Sequence, residues 1–287
     1  MRGFSRVLAF FFLVVFAAGP GFAQQVRFNM VARDLVQRRL RQFGGDDSRR
    51  ESALKQMFVD AGCRHLDEQP VSGLKQPNVI CLVPGSGPET IVVGAHFDHV
   101  DRGSGVVDNW SGASLLPSLM QSLLEEPRRH TYIFIGFSGE EQGEIGSHFY
   151  VHNLTPEQKS KLEAMVNMDT LGLGPSEVWA SRADPGLVQA LGAMAKALNL
   201  PLTWVNVERV GSTDSEQFRV EGIPAITIHS LTQQTLSVLH SPNDNLDKIK
   251  FDDYYRTYRL IAGFLAYLDG EWKVPATNQN TKAEETK

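Results

Sequence analysis

Apolar positions recur along this chain in two rhythms. In residues 31–43 and 49–61 they return every three to four positions, and GGDD at 44–47 separates the two stretches. That period lines one face of a helix, and a glycine pair followed by an aspartate pair stops one helix and starts the next. Further on, short continuous apolar runs take over. Asn78–Val83, 90–95 and 132–137 are rich in β-branched and aromatic residues, as strands covered on both faces must be. Residues 63–71, CRHLDEQPV, read as one more strand, which a short loop folds into a hairpin with NVICLV. Residues 114–124, 185–198 and 252–268 carry helical spacing, and Pro117 inside the first of them predicts a kink. Strands alternating with helices predict an α/β fold, a three-layer α/β/α sandwich around a mixed, mostly parallel sheet.

The two ends of the chain follow neither rhythm. MRGFSRVLAFFFLVVFAAGPGFAQQ has a basic start at Arg2 and Arg6, an apolar stretch over 7–18, and small residues at Gly21 and Ala23. This is the pattern of a secretory signal peptide, residues 1–23, cleaved before Gln24. The alternative, a membrane anchor, needs an apolar run of roughly 20 residues, longer than this one. No cysteine follows the run, which argues against a lipid anchor. Residues 273–287 are polar and aperiodic and read as a disordered tail. Between them, 24–272 form one domain, since nothing repetitive or linker-like divides them and about 260 residues can bury one sizeable core.

Losing Arg2 and Arg6 moves the formal charge from -5 to -7. A mildly acidic chain without a basic stripe excludes nucleic acid as the expected partner. Export, to a periplasm or the outside, would expose Cys63 and Cys81 to an oxidising compartment, where disulfides persist. They fall in or beside neighbouring predicted strands, so a bridge is expected, with two buried thiols as the alternative. Nothing in the sequence sets the oligomeric state.

In open α/β sheets, ligands bind beyond the carboxyl ends of strands. Four predicted strands end on metal-type side chains: IVVGAHFDHV on His96 and Asp98, TYIFIGFSGEE on Glu140 and Glu141, AMVNMD on Asp169, and PAITIHS on His229. Taken singly, each has an ordinary explanation. Asp108 could cap a helix, Asp169 could open a turn, and adjacent glutamates usually face solvent.

In order, GAHFD, DNWSG, SGEEQGEIGS, NMD, STDSEQFRVEGIPA and HSPNDNLDKI resemble the motifs of metallopeptidase family 28. These are two-zinc exopeptidases that include bacterial leucyl aminopeptidases and have glutaminyl cyclases as relatives. The resemblance, over residues 78–249, implies one Zn2+ held by His96 and Asp169, a second by Glu141 and His240, and Asp108 bridging both. It implies a water or hydroxide between the ions as nucleophile, with Glu140 as general base and later acid. Asp98 would orient His96, and Asp244 would do similar work near His240. Asp214 and His229 would lie near the substrate, a peptide with a free N-terminus.

Two positions depart from the pattern. Ser215 stands where many relatives have histidine, and His99 where a small residue is common. The alternatives are a single-zinc glutaminyl cyclase, a carboxypeptidase or dipeptidase of the same layout, and a binding module that has lost its chemistry. The complete set of five ligands together with Glu140 favours the hydrolase.

Overall fold

The computed structural model describes residues 12–19, 22–205 and 211–270. Its strands are β1 (Phe12–Gly19), β2 (Phe22–Asn29), β3 (His65–Gln69), β4 (Asn78–Val83), β5 (Thr90–His96), β6 (Thr131–Phe137), β7 (Leu162–Met168), β8 (Ser176–Val178), β9 (Leu202–Trp204) and β10 (Ala225–His229). Its helices are α1 (Arg33–Leu40), α2 (Asp47–Asp60), α3 (Ser111–Ala113), α4 (Leu116–Leu123), α5 (Ile145–His152), α6 (Pro156–Lys161), α7 (Pro185–Ala197), α8 (Ser215–Val220) and α9 (Phe251–Gly270).

The main sheet has eight strands in the order β3-β4-β6-β5-β7-β10-β8-β9. Its centre, β6-β5-β7-β10, is parallel, while β3, β4 and β8 pair antiparallel to their inner neighbours. Alternation along each central strand builds two cores. Ile91, Val93 and Ala95 of β5, with Tyr132 and Phe134 of β6, pack on the side of α1, α2, α4, α7 and α9. Val92, Ile135, Phe137 and Met165 face the opposite side, against Tyr150 of α5 and Phe218 of α8. Such side chains, fully buried, each contribute about 1.5–3 kcal/mol. The expected three-layer α/β/α arrangement is the one observed.

The edges are short or polar. β3, HLDEQ, is largely exposed, and β9 has three residues, as edge strands that resist further pairing should be.

Local chemistry moved several boundaries. The α2 helix starts at Asp47 rather than residue 49, because the Asp46 carboxylate accepts the Arg49 N–H at 3.0 Å and caps it. The helix expected over 114–124 is observed as α4, which begins at Leu116, and a separate short helix, α3, ends just before it at Ala113. Pro117 falls in the first turn of α4, where its missing N–H costs nothing, and it has no N–H to give the carbonyl of Ala113 that would join the two helices.

Of the leader expected over residues 1–23, residues 1–11, 20 and 21 lie outside the described residues. Strand β1 within it pairs antiparallel with β2, apart from the main sheet. The tail expected at 273–287 also lies outside them. Among the described residues no helix is long and apolar enough to cross a membrane. Cys63, just before β3, is bonded to Cys81 of β4, with Cα atoms 6.2 Å apart.

Candidate metal centre

The parallel strands deliver their carboxyl ends to one edge of the sheet. His96 is the last residue of β5, Glu140 and Glu141 follow β6 by a short turn, Asp169 follows β7, and His229 ends β10. Asp108 and His240 arrive on connecting segments. His240 adopts a φ of 51°, a left-handed conformation that costs a non-glycine residue about 1–2 kcal/mol.

These side chains converge. His96 Nε2 lies 3.4 Å from Asp108 Oδ1, 3.8 Å from Asp169 Oδ1 and 3.8 Å from Glu140 Oε2. His240 Nε2 lies 3.2 Å from Asp108 Oδ2 and 3.0 Å from Glu141 Oε2. Two sets of donors, His96/Asp108/Asp169 and Asp108/Glu141/His240, each fall within 4.8 Å and share Asp108, one carboxylate oxygen turned to each histidine. A third set, His96/Glu140/Glu141, meets the same limit.

Backbone amides fix this arrangement. The Asp98 carboxylate accepts the N–H of Glu140 at Oδ1 and of Glu141 at Oδ2, both at 3.1 Å. Asp244 does the same for the Asp108 turn, taking the N–H of Val107 at 2.7 Å and of Asp108 at 3.1 Å. Asp98 is also 3.6 Å from His96 Nδ1 through its carboxylate, and nearer, 3.3 Å, through its own carbonyl oxygen. Asp169 receives hydroxyl hydrogen bonds from Thr213 at 2.7 Å and Thr170 at 3.0 Å.

Asn109, next to Asp108 in DNWSG, braces the site. Its amide donates to the Met168 carbonyl and its oxygen accepts the N–H groups of Gly112 and Thr170, tying the Asp108 turn to the end of β7. Gly112 permits this, because a Cβ there would meet Asn109 Oδ1 at 2.6 Å and the Met168 carbonyl oxygen at 2.7 Å. Asn109 and Thr213 sit beside ligand-type residues in the motifs; that adjacency was their only signal.

The electrostatics call for cations. Burial pushes the Glu140 carboxyl well up, reinforced by Asp169, Asp214 and Asp108, and outweighs the opposing His96. Burial and Asp108 push Glu141 up in the same sense. Burial also opposes ionisation of Asp108, but hydrogen bonds from His240 and His96 hold it well below the usual carboxylate range. Imidazole nitrogens and carboxylate oxygens are the donors zinc takes. Buried His96 Nε2 and Glu141 Oε1 have no hydrogen-bond partner among the described residues. By both tests the cluster fits divalent metal.

A cavity of about 110 Å3 opens over the cluster, walled in part by Trp179, Thr227, His229, Leu231 and Leu239. His229 Nδ1 accepts the Leu231 N–H at 3.0 Å, so its proton sits on Nε2, and burial depresses its pKa to about 4. Asp214 is fully buried, and burial raises its pKa to about 8 against the opposing pull of His96 and the Ser147 hydroxyl. Ser215 shares a 2.7 Å hydrogen bond with Thr227. His99 turns away from the cluster to Asp47, at 2.8 Å.

A mixed α/β/α sheet carrying clustered imidazoles and carboxylates at its carboxyl edge defines the class as a metal-dependent enzyme fold. Sequence comparison agrees: the profile of Peptidase family M28 matches residues 78–265, and the chain belongs to that family. It is 31% identical over 157 residues to leupeptin-inactivating enzyme 1 of Streptomyces exfoliatus, covering 53% of this chain and 35% of that one. It is 27% identical over 222 residues to leucine aminopeptidase 1 of Trichophyton rubrum, covering 67% and 58%. The chain thus spans between about a third and three fifths of these relatives' length.

Among solved structures, the LapA aminopeptidase of Legionella pneumophila superposes with a TM-score of 0.73 at 21% identity, over 85% of this chain and 73% of that one. A zinc aminopeptidase from Bacillus subtilis gives 0.63 at 22%, over 71% and 52%. The glutaminyl cyclase of an Acidobacteriales bacterium gives 0.67 at 17%, over 83% and 93%. At these identities the likeness is one of fold.

Proposed function

We propose that this chain is an exported, zinc-dependent aminopeptidase that hydrolyses the first peptide bond of peptides with a free N-terminus. The observation that carries the reading is the pair of donor sets sharing Asp108. His96 and Asp169 would hold one Zn2+, Glu141 and His240 a second, and Asp108 would serve both. Bound as a pair, such ions supply Lewis acidity toward a carbonyl and lower the pKa of water.

The chain's own residues do the remaining work. Glu140 directs Oε2 at the cluster, 3.8 Å from His96 Nε2; there it takes the proton of the attacking water and passes it to the leaving amine. The acidic cluster attracts the substrate's α-ammonium, and the apolar wall of Trp179, Leu231 and Leu239 shelters its side chain from water. The leucine aminopeptidase among the relatives supports the same class, and the leader pattern of residues 1–23 supports export.

The fold likeness covering 93% of a glutaminyl cyclase favours one second reading, a single-zinc enzyme that cyclises N-terminal glutamine with release of ammonia. Elemental analysis combined with a panel of aminoacyl nitroanilides, a glutaminyl peptide and an N-terminally blocked peptide separates the two. Two zinc ions per chain and amino-acid release from free-amine substrates alone are expected. Ammonia release without hydrolysis, or continued cleavage of the blocked peptide, would sink the aminopeptidase reading.

A further inference from the structure

Arg50 lies on α2, ahead of the residues that the family profile matches, and its side chain is wholly buried. Among the described residues it makes no carboxylate pair. Nη1 donates to the carbonyl of Phe97 at 3.2 Å and to that of Gly105 at 3.1 Å, and Nη2 donates to the carbonyl of Ser104. Its guanidinium carbon stands 5.8 Å from the centre of the Trp110 ring.

These carbonyls are not scattered. Phe97 sits between His96 and Asp98. The Gly105 carbonyl also accepts the N–H of Trp110 at 3.1 Å, closing the turn that presents Asp108. One nitrogen thus joins the backbone leaving β5 to the backbone entering the Asp108 turn. The Ser104 N–H donates to the Asp244 carbonyl at 2.7 Å, and the Asp244 carboxylate holds the amides of Val107 and Asp108. The connection from His96 to Asp108 is therefore gripped by α2 on one side and by the His240–Asp244 segment on the other. The fit around the guanidinium is close: a Cβ on Gly105, whose φ is 55°, would meet Arg50 Nη2 at 2.7 Å and His99 Cβ at 2.6 Å.

We infer that Arg50 is a positioning residue of the metal centre, holding His96 and Asp108 at the separation that lets them share an ion. This rests on the metal assignment made above for His96 and Asp108. A planar fork that donates in several directions suits three carbonyls, whereas a lysine ammonium is a compact point charge that cannot reproduce the fork. Groups that orient metal ligands from behind are worth about 10–100-fold in metal affinity.

The test measures Zn2+ affinity by chelator competition, together with kcat, KM and Tm, for wild type, Arg50→Met and Arg50→Lys. Arg39→Met is the control. Arg39 is also buried on a neighbouring helix, but it bonds to Ser118 and Gln121, side chains of α4. Arg39→Met should lower Tm and leave Zn2+ affinity unchanged. Arg50→Met should weaken Zn2+ binding by about 10–100-fold and lower kcat with KM little changed, and excess Zn2+ should restore part of the rate. Arg50→Lys should fall between, and it decides the matter if the methionine variant does not fold. Methylguanidinium should recover Zn2+ affinity in Arg50→Gly, and the same concentration of ammonium should not. Wild-type Zn2+ affinity and kcat in a folded Arg50 variant would overturn the inference and leave the metal assignment standing. A wild-type protein that binds no Zn2+ would overturn the assignment itself.

Discussion

Asp98 Oδ1 accepts the backbone N–H of Glu140 at 3.1 Å, while Oδ2 takes that of Glu141 at the same distance. The carboxylate thus fixes the backbone that carries both glutamates, in addition to lying beside His96. Asp98→Asn keeps the shape but replaces one acceptor by a donor, leaving one of two partly buried amides facing an N–H. We expect about a 10–100-fold loss of Zn2+ affinity and a fall in kcat larger than any change in KM. Zinc titration and steady-state kinetics check this, and unchanged values in both would remove Asp98 from the site.

The same clamp lets Glu140 and Glu141 diverge. Glu141 Oε2 is 3.0 Å from His240 Nε2, in the donor set with Asp108, whereas Glu140 Oε2 approaches the His96 side. On the proposed two-zinc reading, Glu140→Ala should retain the wild-type metal content and lose about 10²–10⁴ in kcat. Glu141→Ala should lose one ion as well as activity. Metal content measured alongside turnover decides it, and equal zinc with normal rates in both variants would refute the division of labour.

Much of this was legible in the sequence because it is written in local pattern. The strands β4, β5 and β6 are continuous apolar runs, and strand ends bearing His96, Glu140, Glu141 and Asp169 predict where a parallel sheet collects ligands. What was illegible depends on contacts distant in sequence. Arg50 lies in an ordinary amphipathic helix, and its carbonyl partners are 47, 54 and 55 residues away. Asp214 gives no local sign that it will be fully buried. The strands β8 and β9 are three residues each, too short for a period to register. The start of α4 was half legible: Pro117 announces a break, but instead of kinking the helix from within it stands in the first turn of α4, after the break that ends α3.

The Cys63–Cys81 bond closes a loop with a sequence separation of 18 and pins edge strand β3 to β4 at the end opposite their turn. Loops of this length gain about 3 kcal/mol from closure in the chain-entropy account. Cys63→Ser with Cys81→Ser should lower the denaturation midpoint by a corresponding amount and leave kcat near wild type, because neither residue approaches the metal cluster. Thiol titration under denaturing conditions should find no free thiol before reduction and two after it. Two free thiols in the unreduced protein would contradict the bond.

A stability optimum in pH should arise far from the metal cluster, at His130. This residue is fully buried, with Nε2 2.8 Å from Glu163 Oε2 and Nδ1 3.4 Å from Asp269 Oδ1. Burial depresses its pKa, and so does the Arg129 guanidinium, whose Nη2 lies 2.9 Å from Nε2, but Asp269 and Glu163 outweigh both and raise it above the ordinary histidine value. A raised histidine contributes stability that is fully present below its unfolded pKa of about 6.5 and is lost as pH climbs through the folded value. Asp269 has the opposite sign. Burial would raise it, yet His130 and the backbone amides of His130 and Arg129 hold it low. Its contribution is present above the unfolded carboxylate pKa of about 3.9 and disappears as pH falls through the folded one. The pair therefore stabilises most between about pH 4 and 6.5, tying the end of α9 to the start of β6. His130→Gln should flatten the decline in Tm above that window, measured on zinc-free protein so that metal release does not contribute. A Tm profile of unchanged slope from pH 6 to 8.5 in the variant would show that His130 does not titrate with folding.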